Sequence, residues 1–437
     1  MSDIAEKNLV KDYEREPVPE HKRKGWFKLS IVWLGGIVAL SAIVLGGTLA
    51  GGLSMSQAII ATLIGTFLLA CLSALCSVVG AKTNLSTAMV STFALGQYGA
   101  YAVSVVIALS LFGWFGVQLD LFGTSLAHVI DNTFGVSIPP KVLVIVGGIL
   151  MTTTAVIGYK AIEKLSLIAV PLLAILIIAS LIRVGMSSDA NQISDNVFGD
   201  PLSTGVAVSL IIGSLAVGAI IGPDISRYAR STKDAVISSF VGYFAGFSLV
   251  LIASAILAKF TTETDIVAIM LSLGWGTAAL LVLILAQWTT NDNNLYSSAL
   301  GFSAIFKNTP KFVLTIFAGV IGTSLAVGGI YDNFIPFLNF LSALIPPIGG
   351  VYVADYLLNK EKYTFENFDY MPKVNLPNVS VWAVAAFFAF LTTPQPNGFG
   401  LFTLTGASGF DAFLVAFILQ LAVTKFTSIK TTRVATN

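Results

Sequence analysis

The chain has 437 residues, of which 55% are hydrophobic and only 11% charged, and its mean hydropathy is +0.85. Soluble domains carry roughly 25% charged residues, so this composition belongs to a polytopic membrane protein and excludes an ordinary soluble enzyme. A net charge of +1 gives no electrostatic case for a nucleic-acid partner.

The first 26 residues are polar and charged, with Pro17 and Pro19. They lack the short apolar core and small-residue cleavage site of a signal peptide, which predicts a cytoplasmic tail. Apolar tracts then follow at 27–52, 57–79, 99–128, 140–159, 165–185, 204–226, 234–259, 277–300, 312–329, 331–357, 377–394 and 408–427. Each is near the ~20 residues that a helix needs to cross the hydrocarbon core. The expected fold is therefore an all-α integral membrane protein with twelve transmembrane helices in one domain, 27–428, followed by a cytoplasmic tail at 429–437. An even count puts both termini on one side. The charge bias selects the cytoplasm, because only Lys141, Arg183 and Lys259 of the 24 Lys and Arg fall on the other side.

Within the first tract Gly35-Gly36 predicts a helix break, and Gly213-Ser214 does the same in the sixth, 178 residues on. Interrupted helices at matching places in two halves are the mark of inverted repeats. Five tracts per half make the second half inverted relative to the first, giving repeats at about 27–185 and 204–357 plus two further helices at 377–427. Gly46, Gly47, Gly51 and Gly52 read instead as close-packing positions. Cys71 and Cys76 share the second tract and read as structural. His21 and His128 are too far apart in the sequence to suggest a catalytic pair.

The eighth tract ends in an unusual run, "WTTNDNN" (288–294). Polar groups left unpaired in hydrocarbon cost several kcal/mol each, so these must face protein, water or an ion. Helical geometry divides them. Thr289 and Thr290, near mid-membrane, offer hydroxyl oxygens to a hard cation, whereas the Asn-Asp-Asn-Asn run is expected to tie the helix to its neighbours. Asp120 is a further intramembrane carboxylate, which calls for a partner or a proton-handling role. Asp224 and Arg227, three apart, are expected to pair with each other.

Several stretches, in order along nearly the whole chain, carry a resemblance: "LGG" (34–36), "GGTLAGGLS" (46–54), "GWFGV" (113–117), "GPDISRYAR" (222–230), "WTTNDNNLYSSALGF" (288–302) and "FLSALIPPIGGVYVADYLLN" (340–359). Together they are similar to the nucleobase-cation symporter family, and to bacterial cytosine permeases in particular. The resemblance implies a leucine-transporter-like fold of 5+5 inverted helices plus two. It implies a sodium site on the carbonyls of Gly35, Val38 and Ala286 and the hydroxyls of Thr289 and Thr290. It also implies a substrate site lined by Gly35, Leu111, Trp114, Gln118, Ser214, Leu215 and Ala286, in which a flat heterocycle stacks on Trp114.

Three positions depart from the cytosine permeases: Leu111 stands where they carry glutamine, Leu215 where they place an aromatic, and Ala286 where they have asparagine. Gln118, one turn after Trp114, resembles the tryptophan and glutamine pair of the family's hydantoin transporters, and Gln287 is a candidate substitute for a lost amide. The implied function is a secondary active symporter in a bacterial inner membrane, importing a nucleobase or related small nitrogen heterocycle with sodium. Proton coupling, and a hydantoin, allantoin or pyrimidine vitamin precursor as substrate, are the alternatives. No resident cofactor is expected. An intramembrane enzyme lacks a motif here, no Gly-x-x-x-x-Gly-Lys loop supports ATP drive, and a channel predicts repeated pore units instead of inverted halves.

Overall fold

The computed structural model describes residues 13, 16–157, 159–187, 195–303, 305–306 and 309–435. Parts of the predicted tails, and of the acidic segment at 187–201, lie outside the described residues. The described residues are helical, joined by turns, with one isolated parallel bridge between Lys24 and Ala229.

The first tract forms α1 (Trp26–Ile37) and α2 (Leu40–Gly52), bent by 65° at their junction. The break lies at Val38 and Ala39, three residues later than the glycines suggested, and Gly35 and Gly36 are themselves helical. Its cause is local: Val38 has φ −75° and ψ 77°, and Ala39 N donates to the Ile37 carbonyl at 2.8 Å, an inverse γ-turn. The turn leaves the carbonyls of Gly35, Gly36 and Val38 without a backbone donor among the described residues.

Next come α3 (Met55–Thr83), opened by a capping box at Ser54 and Gln57, the short α4 (Thr87–Leu95) and the 38-residue α5 (Gln97–Phe134). They are followed by α6 (Pro140–Ile157) and α7 (Tyr159–Gly185). The sixth tract forms α8 (Thr204–Ile220) and α9 (Gly222–Ser226), with a second interruption at Leu215 (φ −122°, ψ 17°). Here too the glycine is not the break. Ser214 Oγ bonds back to the Ile211 carbonyl at 2.8 Å, competing with the helical ladder just before the kink.

Gly213 has a different task. A Cβ there would lie 2.1 Å from the Leu338 carbonyl oxygen, so it sets the close approach of α8 to α14 (Phe334–Leu344). Gly213→Ala is therefore expected to lower thermal stability in detergent by about 1–3 kcal/mol, the usual range for overpacking. Gly36→Ala, with nothing within 4 Å of its Cβ, is expected to leave the melting temperature unchanged or raised. Thermal unfolding of the two variants side by side checks both.

The remaining elements are α10 (Thr232–Thr261), which contains a π-helical segment at Phe240–Gly246, α11 (Ile266–Ser272), α12 (Gly276–Ser303), α13 (Lys311–Val327), α15 (Pro346–Leu358), α16 (Leu376–Thr392) and α17 (Ser408–Ala435). Lacking a Gly or Pro stop after its apolar part, α17 continues through most of the segment expected to be a tail. Among the described residues, five helices are long and apolar enough to cross a membrane, the bent α1–α2 pair makes a sixth, and shorter apolar helices occupy five further tracts.

Packing sorts these helices into two bodies. In the first, α3 lies on α8, and α2 lies on α10, where Gly46 meets Ser254 and the Leu251 carbonyl. Hydroxyl pairs such as Thr66–Ser248 (2.7 Å) and Ser77–Ser239 (3.1 Å) stitch α3 to α10. In the second, α5 and α12 form the most extensive helix pair and are flanked by α6, α7 and α13. α14 leans on α8 and meets α5, and α15 to α17 pack beside it.

The segment ahead of α1 is docked on the first body. Val18 is fully buried and its N–H donates to the Asn84 carbonyl, Lys24 exchanges backbone bonds with Tyr228 and Arg230, and Trp26 N–H donates to Asp234 Oδ1. Among the described residues, Asp224 and Arg227 are neighbours, but the guanidinium receives no direct side-chain bond from the carboxylate. Its Oδ1 accepts from Thr87 N–H at 2.8 Å at the start of α4, while Arg227 donates to the Asp224 and Tyr13 carbonyls. The Thr87 and Tyr13 backbone groups were invisible in the i, i+3 spacing.

Candidate functional site

The candidate site residues lie on the broken helices and on the α5–α12 pair. On α12 the hydroxyls of Thr289 and Thr290 each donate to the Ala286 carbonyl at 2.9 Å, which draws three oxygens together. Thr289 and Ala286 are buried and Thr290 is half-buried. Across from α12, the γ-turn frees the Gly35 and Val38 carbonyls, and α2 packs directly on α12. Both threonine hydroxyls are committed within α12, and neither donates across to Gly35 or Val38. The candidate ion ligands thus form two groups, one on each packing body. All are neutral oxygens, the donor set of a hard cation of low charge.

Trp114 is buried on α5, and its indole makes perpendicular contacts with Phe337 (5.3 Å) and Phe334 (6.2 Å) of α14. These two phenylalanines were missed in the sequence. The aromatics three apart in "NFIPF" were the available signal, but nothing in that tract says which ring they meet. Gln118, one turn on and on the same face, is fully buried, and neither of its amide atoms has a partner among the described residues. Leaving a buried polar atom unpaired costs about 1–3 kcal/mol. Leu111 and Leu215 are half-buried, Ser214 is buried with its hydroxyl turned to its own helix, and Gly35 is exposed.

The Asn-Asp-Asn-Asn run is mostly structural. Asn291 Nδ2 donates to the Phe115 carbonyl at 3.2 Å, and Asn293 Nδ2 turns back to the Thr289 carbonyl. Asp292 Oδ1 accepts from Thr154 Oγ1 of α6 at 2.7 Å, and the same hydroxyl accepts from Trp288 Nε1 at 3.2 Å. Asp120, half-buried on α5, belongs to neither oxygen group.

Two interrupted helices set against a tightly paired body describe a multi-pass membrane protein of the leucine-transporter-like architecture. The chain aligns with a solved structure of Mhp1, a nucleobase-cation-symport-1 family transporter, in a closed conformation with bromovinylhydantoin bound, at TM-score 0.72 and 18% identity over 97% of this chain and 96% of that one. The inward-facing conformation of Mhp1 aligns at TM-score 0.79 and 19% identity, over 97% and 94%.

The chain belongs to the nucleobase-cation symporter family: the family model described as permease for cytosine/purines, uracil, thiamine, allantoin matches residues 17–417. It is 37% identical over 375 residues to a cytosine permease of Escherichia coli O157:H7, covering 86% of this chain and 87% of that protein. It is 23% identical to a hydantoin permease of Microbacterium maritypicum, over 84% and 81%.

Proposed function

We propose that the protein is a secondary active symporter, with twelve spans arranged as 5+5 inverted helices plus two, that imports a small planar nitrogen heterocycle together with sodium. Both termini lie in the cytoplasm of a bacterial cell whose inner membrane holds the chain. The observation that carries this reading is the pairing of a buried indole at Trp114 with a buried amide at Gln118 that has no partner among the described residues, on a helix paired with α12, which carries the neutral oxygens at Ala286, Thr289 and Thr290. The indole offers a flat apolar surface to a ring, and the amide offers one donor and one acceptor to its edge. Substrates named for the relatives, cytosine, purine and uracil, and hydantoin, are all such rings.

Coupling follows from where the oxygens sit. A sodium ion held between Gly35 and Val38 on one body and Ala286, Thr289 and Thr290 on the other binds best when the two bodies are closed around it. The hydroxyl protons point at the Ala286 carbonyl, which leaves the oxygen lone pairs of both threonines free to face the arriving ion. Alternating access is then the rocking of one body on the other. One positive charge moving inward through 100 mV contributes ~2.3 kcal/mol to the uphill movement of substrate.

Uptake into proteoliposomes tests the reading. Labelled nucleobases, hydantoins and pyrimidine precursors are offered under an imposed sodium gradient and, separately, in choline. Accumulation above the outside concentration, dependent on the gradient, is expected for at least one of them. Equilibration without accumulation would mark a channel. One observation favours a second reading with protons as the driving ion: Asp292 is a buried carboxylate whose described partner is a single hydroxyl. Accumulation driven by a proton gradient in sodium-free vesicles would establish it.

Selectivity is expected to differ from that of a cytosine permease. With Leu111, Leu215 and Ala286 in place of two amides and an aromatic, the wall is apolar where a polar edge would dock. Each missing hydrogen bond is worth ~0.5–1.5 kcal/mol. A ring with a bulkier or more apolar substituent should therefore outcompete cytosine by about tenfold or more. Competition assays over modified pyrimidines, purines and hydantoins measure this, and cytosine winning against all of them would refute it.

A further inference from the structure

Five exposed cations gather where the chain enters α1, and the transport reading makes no use of them. Lys22 and Lys24 belong to the segment docked ahead of α1, Lys28 to the first turn of α1, Arg230 to the link after α9, and Lys233 to the first turn of α10.

Backbone bonds hold these segments side by side although they lie 207 residues apart in the chain. The Lys24 N–H donates to the Tyr228 carbonyl at 2.6 Å, and the Arg230 N–H donates to the Lys24 carbonyl at 3.0 Å. Arg230 Nε donates to the Arg23 carbonyl at 3.4 Å, and Lys24 Nζ lies 5.7 Å from the centre of the Tyr228 ring. The bond from Trp26 N–H to Asp234 brings the first turns of α1 and α10 together.

The carboxylates nearby offset little of this charge. Asp234 is taken up by the Trp26 N–H and the Ser231 hydroxyl, and Asp224 accepts from the Thr87 N–H. Glu20 is the exposed carboxylate on the same segments, and none of the five cations forms an ion pair with a described carboxylate. Lys28 also stands where the helix dipole favours an anion, and the first turn of α1 holds no acidic residue.

Next to the cations, α1 exposes Trp26, Phe27 and Ile31. At the end of a spanning helix, aromatic side chains mark the boundary between headgroups and hydrocarbon, so the cations beside them stand at headgroup level.

From this convergence we infer that the face is a binding site for the headgroups of anionic phospholipids, with the phosphodiester held by Lys24, Lys28 and Arg230 and the acyl chains running along Phe27 and Ile31. The site rests on the membrane reading above and is independent of which substrate is carried. A bound lipid would brace the end of α1 opposite to Gly35 and Val38. Lysines and arginines that served only to set the direction of insertion would finish their work during assembly, and the folded protein would be indifferent to lipid charge.

Thermal unfolding of the full chain in a neutral detergent, titrated with phosphatidylglycerol, phosphatidylcholine or inorganic phosphate, provides the test. Phosphatidylglycerol is expected to raise the unfolding temperature saturably and well beyond the other two. That difference should vanish in ~1 M potassium chloride, where the Debye length falls to about 3 Å. Each basic group near an anionic surface contributes roughly fivefold to binding. The combined variant Lys24→Gln, Lys28→Gln and Arg230→Gln should therefore need at least about tenfold more phosphatidylglycerol for half-saturation. Lys360→Gln with Lys373→Gln, which removes exposed cations after α15, should stay within about twofold of the wild type. An unchanged midpoint in the triple variant overturns the site, as does an equal response of the wild type to the two lipids or to inorganic phosphate. Should the triple variant not fold, the wild-type comparison decides alone. No step needs transport, so a failure here is distinct from a failure of the symporter reading.

Discussion

Thr290→Ala is expected to raise the sodium concentration that supports half-maximal uptake by about tenfold or more, if the proposed sodium coupling holds at this site. The side chain contributes one of three oxygens drawn together on α12, and it is the less buried of the two threonines, so its removal opens the site without leaving a packed hole. A hydrogen bond or ligand contact to a charged group is worth about 1.5–3 kcal/mol, and 1.4 kcal/mol is a factor of ten. Thr290→Ser keeps the oxygen and should stay within threefold of the wild type. Thr289→Ala should do more harm, since Thr289 is buried and loses packing as well as an oxygen. Initial uptake rates across a sodium titration read the effect. Equal uptake in sodium and choline by the wild type, or an unchanged midpoint in Thr290→Ala, removes these hydroxyls from the coupling site.

The second large effect is at Trp114. Trp114→Ala should weaken substrate binding by about tenfold or more, because stacking contributes ~0.5–1.5 kcal/mol beyond the apolar area that the indole covers. Trp114→Phe, which keeps a ring but less of it, should fall in between. The contacts with Phe334 and Phe337 mean that the alanine variant also loses packing between α5 and α14, so part of the effect is expected as a lower melting temperature. The two contributions separate when affinity is measured on protein that elutes as the wild type does. Unchanged affinity in such a sample would make Trp114 a packing residue of the α14 contact.

How far the site could be read in advance depended on the range of the interaction. Thr289 and Thr290 stood out because a polar group in a membrane span must have a reason to be there, and that reason is local to the residue, whereas Gln118 was reached only through the resemblance of the Trp114 and Gln118 pair to the family's hydantoin transporters. The breaks were legible to within three residues. Glycine marks a place where a helix can be interrupted or crowded, and only the neighbours decide which: Gly213 is crowded by Leu338, and the interruption falls at Leu215. In α1 the turn at Val38 uses no residue with a special backbone preference, so composition could not point to it. Phe334 and Phe337, the cap that Asp224 provides for Thr87, and the bond from Asn291 to the Phe115 carbonyl all depend on partners more than a hundred residues away. Periodicity carries no record of such pairings.

The docking of the segment before α1 has a mechanical corollary. Because backbone bonds hold it at Asn84 and at Tyr228 to Arg230, and Trp26 is tied to Asp234, α1 has no loose lower end. α1 is interrupted at the turn at Val38, is held at its other end to α3, α10 and the segment after α9, and packs along α10 between the two. Any tilt of α1 must drag those helix ends along, and a spectroscopic label at Lys22 would report the angle of the whole body. Shortening the chain through residue 25 would remove the backbone bonds of Val18 and Lys24 and leave only Trp26 on Asp234. With α1 held less firmly, substrate would be expected to pass with weaker dependence on the ion.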